Sequence, residues 1–378
     1  MKKNYNYIIQ GAGASGLWLA YWMQKSGLLA TSNLLIIEGD AHKSNDRTWC
    51  FWETNSGETM PFVNHNWQHI TILGQKQSIA PYRYNHCRSI DFYHWIHSLL
   101  DTNANIHWLK GWADAPVVVA GGIEVTVNGD IYSGKWYFKS GDTAEKETKK
   151  TIHLWQSFVG WRVKIVSGAI DATCATLMDF SIPQNNKTRF LYVLPMSDRE
   201  ALIEVTQFDC EKLDKEKGQQ LLTEICASRG WQTDVLELEY GAIPMSSAYD
   251  NKEPYWPLES RIIDIGVVAG ALKPTTGYGF LRMMHHGKAL AEALTLNTPM
   301  PKIYRKMRFR FYDRLLLNIL VDYPWRGKSI FERLFARIKV TTVLKFLDEG
   351  TNFWEEMQIF CRLQVALFVK ILFRYGGR

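Results

Sequence analysis

Between Tyr5 and Glu38 the chain reads as a β-prone run, a glycine turn, a helix and a second β-prone run, and this order constrains the fold more than any other feature. The first run, Tyr5-Asn6-Tyr7-Ile8-Ile9, leads at once into Gly11-x-Gly13-x-x-Gly16 and a helical stretch from Leu17 to about Lys25. After Gly27, Asn33-Leu34-Leu35-Ile36-Ile37 ends in Glu38. Such a βαβ unit of about 30 residues implies a parallel sheet. Gly11 permits the tight turn, Gly13 lets a pyrophosphate approach the backbone, and Gly16 lets the helix pack closely. The helix N-terminus adds amide donors and the positive end of a dipole. Glu38, 22 positions after Gly16, stands where a carboxylate accepts hydrogen bonds from a ribose hydroxyl and repels a 2′-phosphate. The unit predicts a dinucleotide ligand, FAD or NAD in preference to NADP.

The rest of the chain is organised around this start. Its 378 residues suit one large composite unit or two interleaved domains, and 46% hydrophobic against 22% charged residues excludes disordered and low-complexity classes. Alternating patterns at Val117 to Val127, Phe190 to Leu194 and Ala201 to Thr206 predict an antiparallel sheet in the middle. Arg261 to Gly266 reads as another buried strand, and Gly270 and the Pro274 to Gly279 turn lead into a helix over about Phe280 to Leu294. From Tyr304 onward apolar positions recur at helical spacing. Residues 301–378 hold 16 Lys/Arg against 7 Asp/Glu, so the basic excess behind the net charge of +6 is C-terminal and suggests an anionic surface as partner.

Several chemistries are excluded. Gly327-Lys328-Ser329 lacks the upstream glycine of a phosphate loop, since position 322 is Asp. His285 and His286 are adjacent on a helix and point in different directions, whereas paired helical metal ligands need three- or four-residue spacing. No metal is predicted. The six cysteines form no C-x-x-C pair, which argues against a disulfide framework or structural zinc and fits a reducing cytoplasm. No nucleophile elbow is present. The N-terminus enters a strand without the h-region of a secretory signal, and the most lipid-like stretch, Leu363 to Phe373, is shorter than the about 20 residues a spanning helix needs.

Asp46-Arg47-Thr48-Trp49-Cys50-Phe51-Trp52 joins an acid and a base to three aromatic rings, whose faces attract cations, including a carbocation formed in a reaction. With the glycine fingerprint, Gln156-x-Phe158-x-Gly160-Trp161, Leu177-Met178-Asp179-Phe180 and Tyr192-Val193-Leu194-Pro195, this string resembles the flavoprotein lycopene cyclases. The resemblance continues through Ala201-Leu202-Ile203-Glu204-Val205-Thr206, Gly241-x-Ile243-Pro244-Met245, Pro274-Thr275-Thr276-Gly277-Tyr278-Gly279 and Phe346-Leu347-Asp348-Glu349-x-Thr351, over essentially the whole chain.

The resemblance implies an α/β fold with an FAD-binding, Rossmann-like domain of the p-hydroxybenzoate hydroxylase type, an inserted antiparallel-sheet substrate domain and a helical C-terminal part. Residues 1–110 and 255–300 are then the FAD-binding domain, 111–254 the substrate-covering sheet and 301–378 a basic, membrane-associated helical region. FAD would lie across Gly11 to Glu38, with Gly270, Thr275, Thr276 and Gly277 on the isoalloxazine side. The implied activity is conversion of the linear ψ ends of lycopene, or a related linear carotene, to β-ionone rings, through γ-carotene to β-carotene, with no net redox change. FAD would act in its reduced form, primed by NAD(P)H. Protonating an alkene needs an acid in a water-poor site, where burial keeps a carboxyl protonated; Glu204 is the candidate. Val205 stands where the family often carries a second acid. The alternative is an FAD-dependent reductase or hydroxylase of a prenyl or polyene substrate, and a non-catalytic binding protein is a further class.

A polyene lives in the bilayer, so a peripheral membrane location is expected, with neither nucleic acid nor a protein partner. Arg305, Lys306, Arg308, Arg310 and Arg314, beside Phe311 and Leu315, suit a helix lying on an anionic membrane. Met357 to Arg374 forms a similar stretch without acids, with Phe360, Leu367, Phe368, Ile371 and Leu372 available for insertion.

Overall fold

The structure, a computed structural model, describes residues 3–40, 43–54, 57–141 and 153–375. Strand β1 (Lys3–Gln10), helix α1 (Ala14–Lys25) and strand β2 (Leu34–Glu38) form the expected unit, with β1 and β2 parallel and Tyr7 opposite Leu34. Ile8, Ile9, Leu34 and Ile36 are fully buried, as parallel strands covered on both faces require. The chain then leaves this sheet. Strands β3 (Thr48–Glu53), β4 (His65–Trp67) and β7 (Arg83–Arg88) make a three-stranded sheet in the order β3-β7-β4, while β5 (His69–Ile72) and β6 (Gln75–Ser78) join another sheet as an edge hairpin. Helix α2 (Ser89–Leu100) leads back to β8 (Ile106–Lys110), parallel to β2.

Strands β9 (Val117–Val119), β10 (Gly122–Val127) and β11 (Asp130–Lys139) alternate as the sequence predicts, but they do not belong to the covering sheet that was expected to begin at 111. They extend the βαβ sheet, β11 running parallel to β1 with Ile8 opposite Tyr137. Gly134 explains the close fit: a Cβ there would stand 3.0 Å from Ile8 Cδ1. Period-two alternation reports a half-buried strand, not which sheet it joins.

The covering sheet is built from β12 (His153–Ser167), β13 (Ala175–Asp179), β14 (Thr188–Pro195), β15 (Glu200–Asp209) and β16 (Gln232–Ser246), in the order β16-β12-β15-β14-β13-β5-β6. Helix α3 (Lys215–Ser228), capped at its start by Asp214 accepting from Lys217 N, closes one face over Val159, Val163, Ile203 and Val205. The register fixes what the other face presents. Gly160 lies opposite Glu204 on β15 and opposite Glu239 on β16, and Tyr192 on β14 lies opposite Glu204. Directly paired residues share a face, so Tyr192, Glu204, Gly160 and Glu239 form one row across four strands.

Strand β17 (Ile262–Asp264) rejoins the first sheet parallel to β11, and helix α4 (Phe280–Leu296) follows, as expected. The C-terminal part is helical: α5 (Met307–Asp322), α6 (Gly327–Arg337), α7 (Val340–Leu347), α8 (Phe353–Phe360) and α9 (Val365–Tyr375). Phe331, Leu334 and Phe335 of α6 and Val343 and Leu344 of α7 share a core with Phe190, Leu202 and Phe208 of the covering sheet.

Candidate functional site

At the glycine turn, each of the three glycines has its own environment. Gly11 adopts φ of 95°, in the region that favours glycine, and its amide donates to Ile37 O at 2.8 Å. A Cβ on Gly16 would stand 2.0 Å from Gly11 O, so any side chain there collides with backbone. Around a Cβ on Gly13 there is open space, and Gly13 is the N-cap of α1 without a side-chain cap. The helix therefore begins with uncapped amides facing a vacant approach, which fits an anionic group. Glu38 accepts from Ala12 N at 2.7 Å, Asp40 N at 2.9 Å and Lys43 Nζ at 2.8 Å, so the carboxylate also ties β2 to the glycine turn. Gly266, with φ of 71°, packs against Ser15, where a Cβ would stand 3.4 Å from Ser15 Cβ. The segment after β17 thus returns to the start of α1.

A cavity of about 120 Å³ lies under the covering sheet. Glu204, Glu239, Tyr192 and Phe158 face it from that sheet, Thr48, Trp49 and Cys50 from β3, Tyr84 from β7, and Thr276 to Phe280 from the turn before α4. The aromatic string of the sequence thus becomes a wall: Trp49 stacks on Phe280 at 4.7 Å between ring centroids, and Trp52 meets Tyr278 edge-on at 4.6 Å. The Tyr84 and Tyr278 hydroxyls are 3.0 Å apart. Burial raises the pKa of Tyr84, Tyr192 and Tyr278, so these phenols stay neutral and present rings and hydroxyls, not charge.

Glu204 is one of the two carboxyls that line this cavity. Burial pushes its pKa up to about 8, opposed by the Thr206 hydroxyl, which donates to it at 2.7 Å, and reinforced by the nearby Glu239. It therefore holds its proton at neutral pH. Glu239 is also raised by burial, with Thr48 donating to it and Arg88 and Arg162 pulling it down. No sequence motif singles out Glu239, which lies two residues before the Gly241 motif and meets Glu204 only through strand register. Tyr84 is a second lining residue that the sequence does not single out.

The expected isoalloxazine-side residues divide into two groups. Thr276 and Gly277 line the cavity, the Thr276 hydroxyl buried without a partner beside the equally unpartnered Gln156 Oε1. Gly277 has φ of 71°, and a Cβ there would stand 2.9 Å from that oxygen. Orphaned buried polar atoms at a cavity wall fit a ligand carrying donors and acceptors, as the flat ring of a flavin does. Thr275 and Gly270 have other work. Thr275 donates to Asp313 at 2.7 Å, and Gly270, at φ of 85°, packs where a Cβ would stand 2.5 Å from Tyr249 O.

Asp313 belongs to a buried ion cluster that anchors the 273–279 turn to the C-terminal helices. Lys273 reaches Asp313 at 3.0 Å and Glu349 at 3.3 Å, and Arg305 reaches Asp250 at 2.9 Å, Glu349 at 2.5 Å and Asp313. Burial lowers the pKa of Lys273, whereas its cationic neighbours hold Glu349 at about 2 against the opposing effect of burial. Arg305 is therefore internal, contrary to the expectation that it faces a membrane, and Arg308 reaches Glu356 at 3.0 Å. On α9, Ile371 is fully buried, while Val365, Val369, Leu372 and Phe373 are exposed, Phe373 by 84%. Of the apolar residues expected on that surface, Leu372 is exposed and Ile371 is internal. Among the described residues no helix is long and apolar enough to cross a membrane, and no His, Cys, Asp and Glu cluster suits a metal ion.

A second, apolar chamber adjoins the first, lined by Ile70, Leu177, Phe208, Phe331 and Leu344 among others. Gln156, Tyr192, Thr276 and Tyr278 border both.

Comparison with known structures shows the fold. A flavoprotein/dehydrogenase from Cytophaga hutchinsonii aligns with TM-score 0.60 over 100% of both chains at 12% identity. A geranylgeranyl bacteriochlorophyll reductase-like protein from Thermoplasma acidophilum aligns with TM-score 0.59 over 98% of this chain and 99% of that one at 14% identity. The architecture is thus the expected α/β fold shared with flavoproteins, with its sheet domain and helical C-terminal part. In sequence, lycopene beta-cyclase of Pseudescherichia vulneris is 27% identical over 93% of this chain and 92% of its own length, and that of Pantoea ananas 25% identical over 74% and 72%. The model of the lycopene cyclase protein family matches residues 6–372, from β1 into α9 and through every wall of the cavity, and the chain belongs to that family.

Proposed function

We propose that this chain is a lycopene β-cyclase, an isomerase that converts the ψ ends of lycopene to β-ionone rings by acid–base cyclisation without net redox change. The observation that carries the reading is Glu204, a carboxyl with a pKa of about 8 in a cavity walled by aromatic rings. In this reading Glu204 donates its proton to the terminal trisubstituted alkene, and the neighbouring double bond attacks the resulting tertiary cation to close a six-membered ring. Loss of a ring proton completes the product. The faces of Trp49, Tyr84, Tyr192 and Tyr278 suit a passing positive charge, and their apolar bulk limits the water that would quench it.

The cofactor proposed is FAD. Gly11, Gly13, Gly16 and the start of α1 would take its pyrophosphate and Glu38 a ribose hydroxyl, while Thr276 and Gly277 would meet the ring system. Gly270 and Thr275 would act behind them, holding the turn. Bound in its reduced form, with NAD(P)H as electron source, FAD would supply negative charge that favours a cationic reaction. We further propose that the three sheets and the C-terminal helices correspond to an FAD-binding domain, a substrate-covering domain and a membrane-facing region. The exposed apolar residues of α9 would rest on the bilayer that holds the carotene.

Expression in lycopene-accumulating cells, with pigment analysis by chromatography and mass detection, tests the reading. A product of unchanged mass with β-rings is expected. A shift of two hydrogens or one oxygen would move the chain to a redox reaction on the polyene, a reading favoured by its fold likeness to the reductase-like protein.

A further inference from the structure

Cyclisation at each end needs two proton transfers, one to the alkene and one from the ring, and the position next to Glu204 is Val205, not a second acid. The covering sheet supplies one from elsewhere. Resting on the cyclase reading, we infer that Glu239 is the general base that removes the ring proton, working opposite Glu204 across Gly160.

Three observations carry this. First, β12 runs between β15 and β16 with Gly160 opposite both acids, so the two carboxyl side chains rise from the same face on either side of a residue without a side chain. A Cβ on Gly160 would stand 3.4 Å from Glu204 Cβ and Cγ, in the gap between the acids. Second, Glu239 borders the reaction cavity and also a separate polar cavity of about 280 Å³ lined by Asn64, His65, His86, Arg88 and Arg162. Glu204 borders only the first of these two. One acid is enclosed with the substrate, and the other connects that enclosure to a polar compartment. Third, burial raises both acids, but the groups that oppose it differ between them. The groups around Glu239 are Thr48 and Cys50 on β3, His65 on β4, Arg88 and the neutral His86 on β7, Arg162 on β12, Glu200 and Glu204 on β15 and Glu237 on its own strand. Against burial, the Thr48 hydroxyl and the two guanidinium groups favour its carboxylate, although Arg88 and Arg162 are shared with Glu237, at 3.4 and 2.7 Å, and Arg162 also with Glu200, at 2.5 Å. No guanidinium acts on Glu204, which burial, reinforced by Glu239, keeps protonated. Two neighbouring carboxyls, only one of them with cations and a hydroxyl favouring its charged form, are an arrangement that acid–base catalysis can use.

The steps balance. Glu204 gives its proton to the alkene and becomes a carboxylate; the ring closes; the C–H electron pair of the ring becomes the new double bond as Glu239 takes the proton. Transfer from Glu239 back to Glu204 restores the pair for the next ring, with no oxidant or reductant consumed.

The test is Glu239→Gln, which keeps an acceptor for Thr48 but removes the base, with Glu239→Asp beside it, assayed on lycopene in the reduced holoenzyme across pH 5–9. In the parent the rate is expected to rise with pH as Glu239 ionises and to fall as Glu204 does. Glu239→Gln should lose about 100-fold or more in rate, keep its FAD, and lose the rising limb, whereas Glu239→Asp should keep that limb at reduced rate. A Glu239→Gln rate near the parent's, or residual activity that keeps the rising limb, overturns the inference and returns the second transfer to Glu204. If the parent enzyme itself leaves lycopene unchanged, the cyclase reading fails, and that result is distinct from both.

Discussion

Replacing Glu204 by Gln should make the protein inactive and more stable, and the size of the second effect follows from its titration. The unfolded chain releases this proton near 4.5 and the folded chain near 8. Between those values the folded state binds more protons than the unfolded one, so stability falls with rising pH, by at most about 1.4 kcal/mol per unit for one group. The loss begins above the unfolded pKa, reaches at most about 3 kcal/mol at pH 7, and is complete above pH 8 at no more than about 5 kcal/mol. Water reaching the cavity makes these upper bounds. Gln cannot titrate, and it retains an acceptor for the Thr206 hydroxyl. Urea midpoints of the parent and Glu204→Gln, at fixed FAD and at pH 4.5, 6, 7, 8 and 9, should coincide at the acid end and diverge in favour of the variant up to pH 8. In the active parent, the rate should fall about tenfold per unit above pH 8 as the acid is lost. A midpoint difference that does not change with pH would refute the claim that Glu204 is kept protonated by its surroundings, and a Glu204→Gln variant that still cyclises would remove it as the proton donor.

Gly13→Val should fold, because open space surrounds that Cβ, but lose FAD; Gly16→Ala should lose stability as well, since its Cβ would stand 2.0 Å from Gly11 O. Flavin absorbance after gel filtration, with circular dichroism, separates the two. Asp313→Ala leaves Lys273 and Arg305 buried with reduced compensation and should cost about 3–5 kcal/mol, read as a lowered unfolding midpoint. Val369→Asp with Phe373→Asp should weaken flotation with anionic vesicles while leaving cyclisation of detergent-solubilised lycopene near the parent rate; unchanged flotation would remove α9 from the membrane contact.

Local periodicity made the βαβ unit, α4 and the helical C-terminal part legible from sequence, because each rests on contacts near in the chain. The placement of β9 to β11 was not legible, since alternation fixes which residues are buried and leaves the partner strand open. The C-terminal basic excess had the same ambiguity. Sixteen Lys/Arg against seven Asp/Glu describe residues 301–378, but Arg305 and Arg310 find Asp250 from the preceding loop, and Lys273 enters from the 273–279 turn to meet Asp313 and Glu349. A charge count within one segment does not reveal partners supplied by another, so an apparently basic surface was in part an internal clamp.

Glu204 itself reads in sequence as an acid alternating with buried aliphatics, the pattern of a solvent-facing strand position. What changes its meaning is the third layer. The aromatic string of β3 and the 276–280 turn close over that face, so the side chain that alternation turns away from the α3 core points into a second enclosed space. In a sheet covered on both faces, alternation separates two interiors, and a polar residue in the strand marks which of them is not a plain apolar core. Glu204 and Glu239 are 35 positions apart in the chain, and nothing local relates them. Only the antiparallel register of β12 with both neighbours brings them to one row, and Gly160 at the crossing point leaves that row open between them. The glycine that sequence comparison treats as part of a motif is, in the fold, the absence of a wall between two acids.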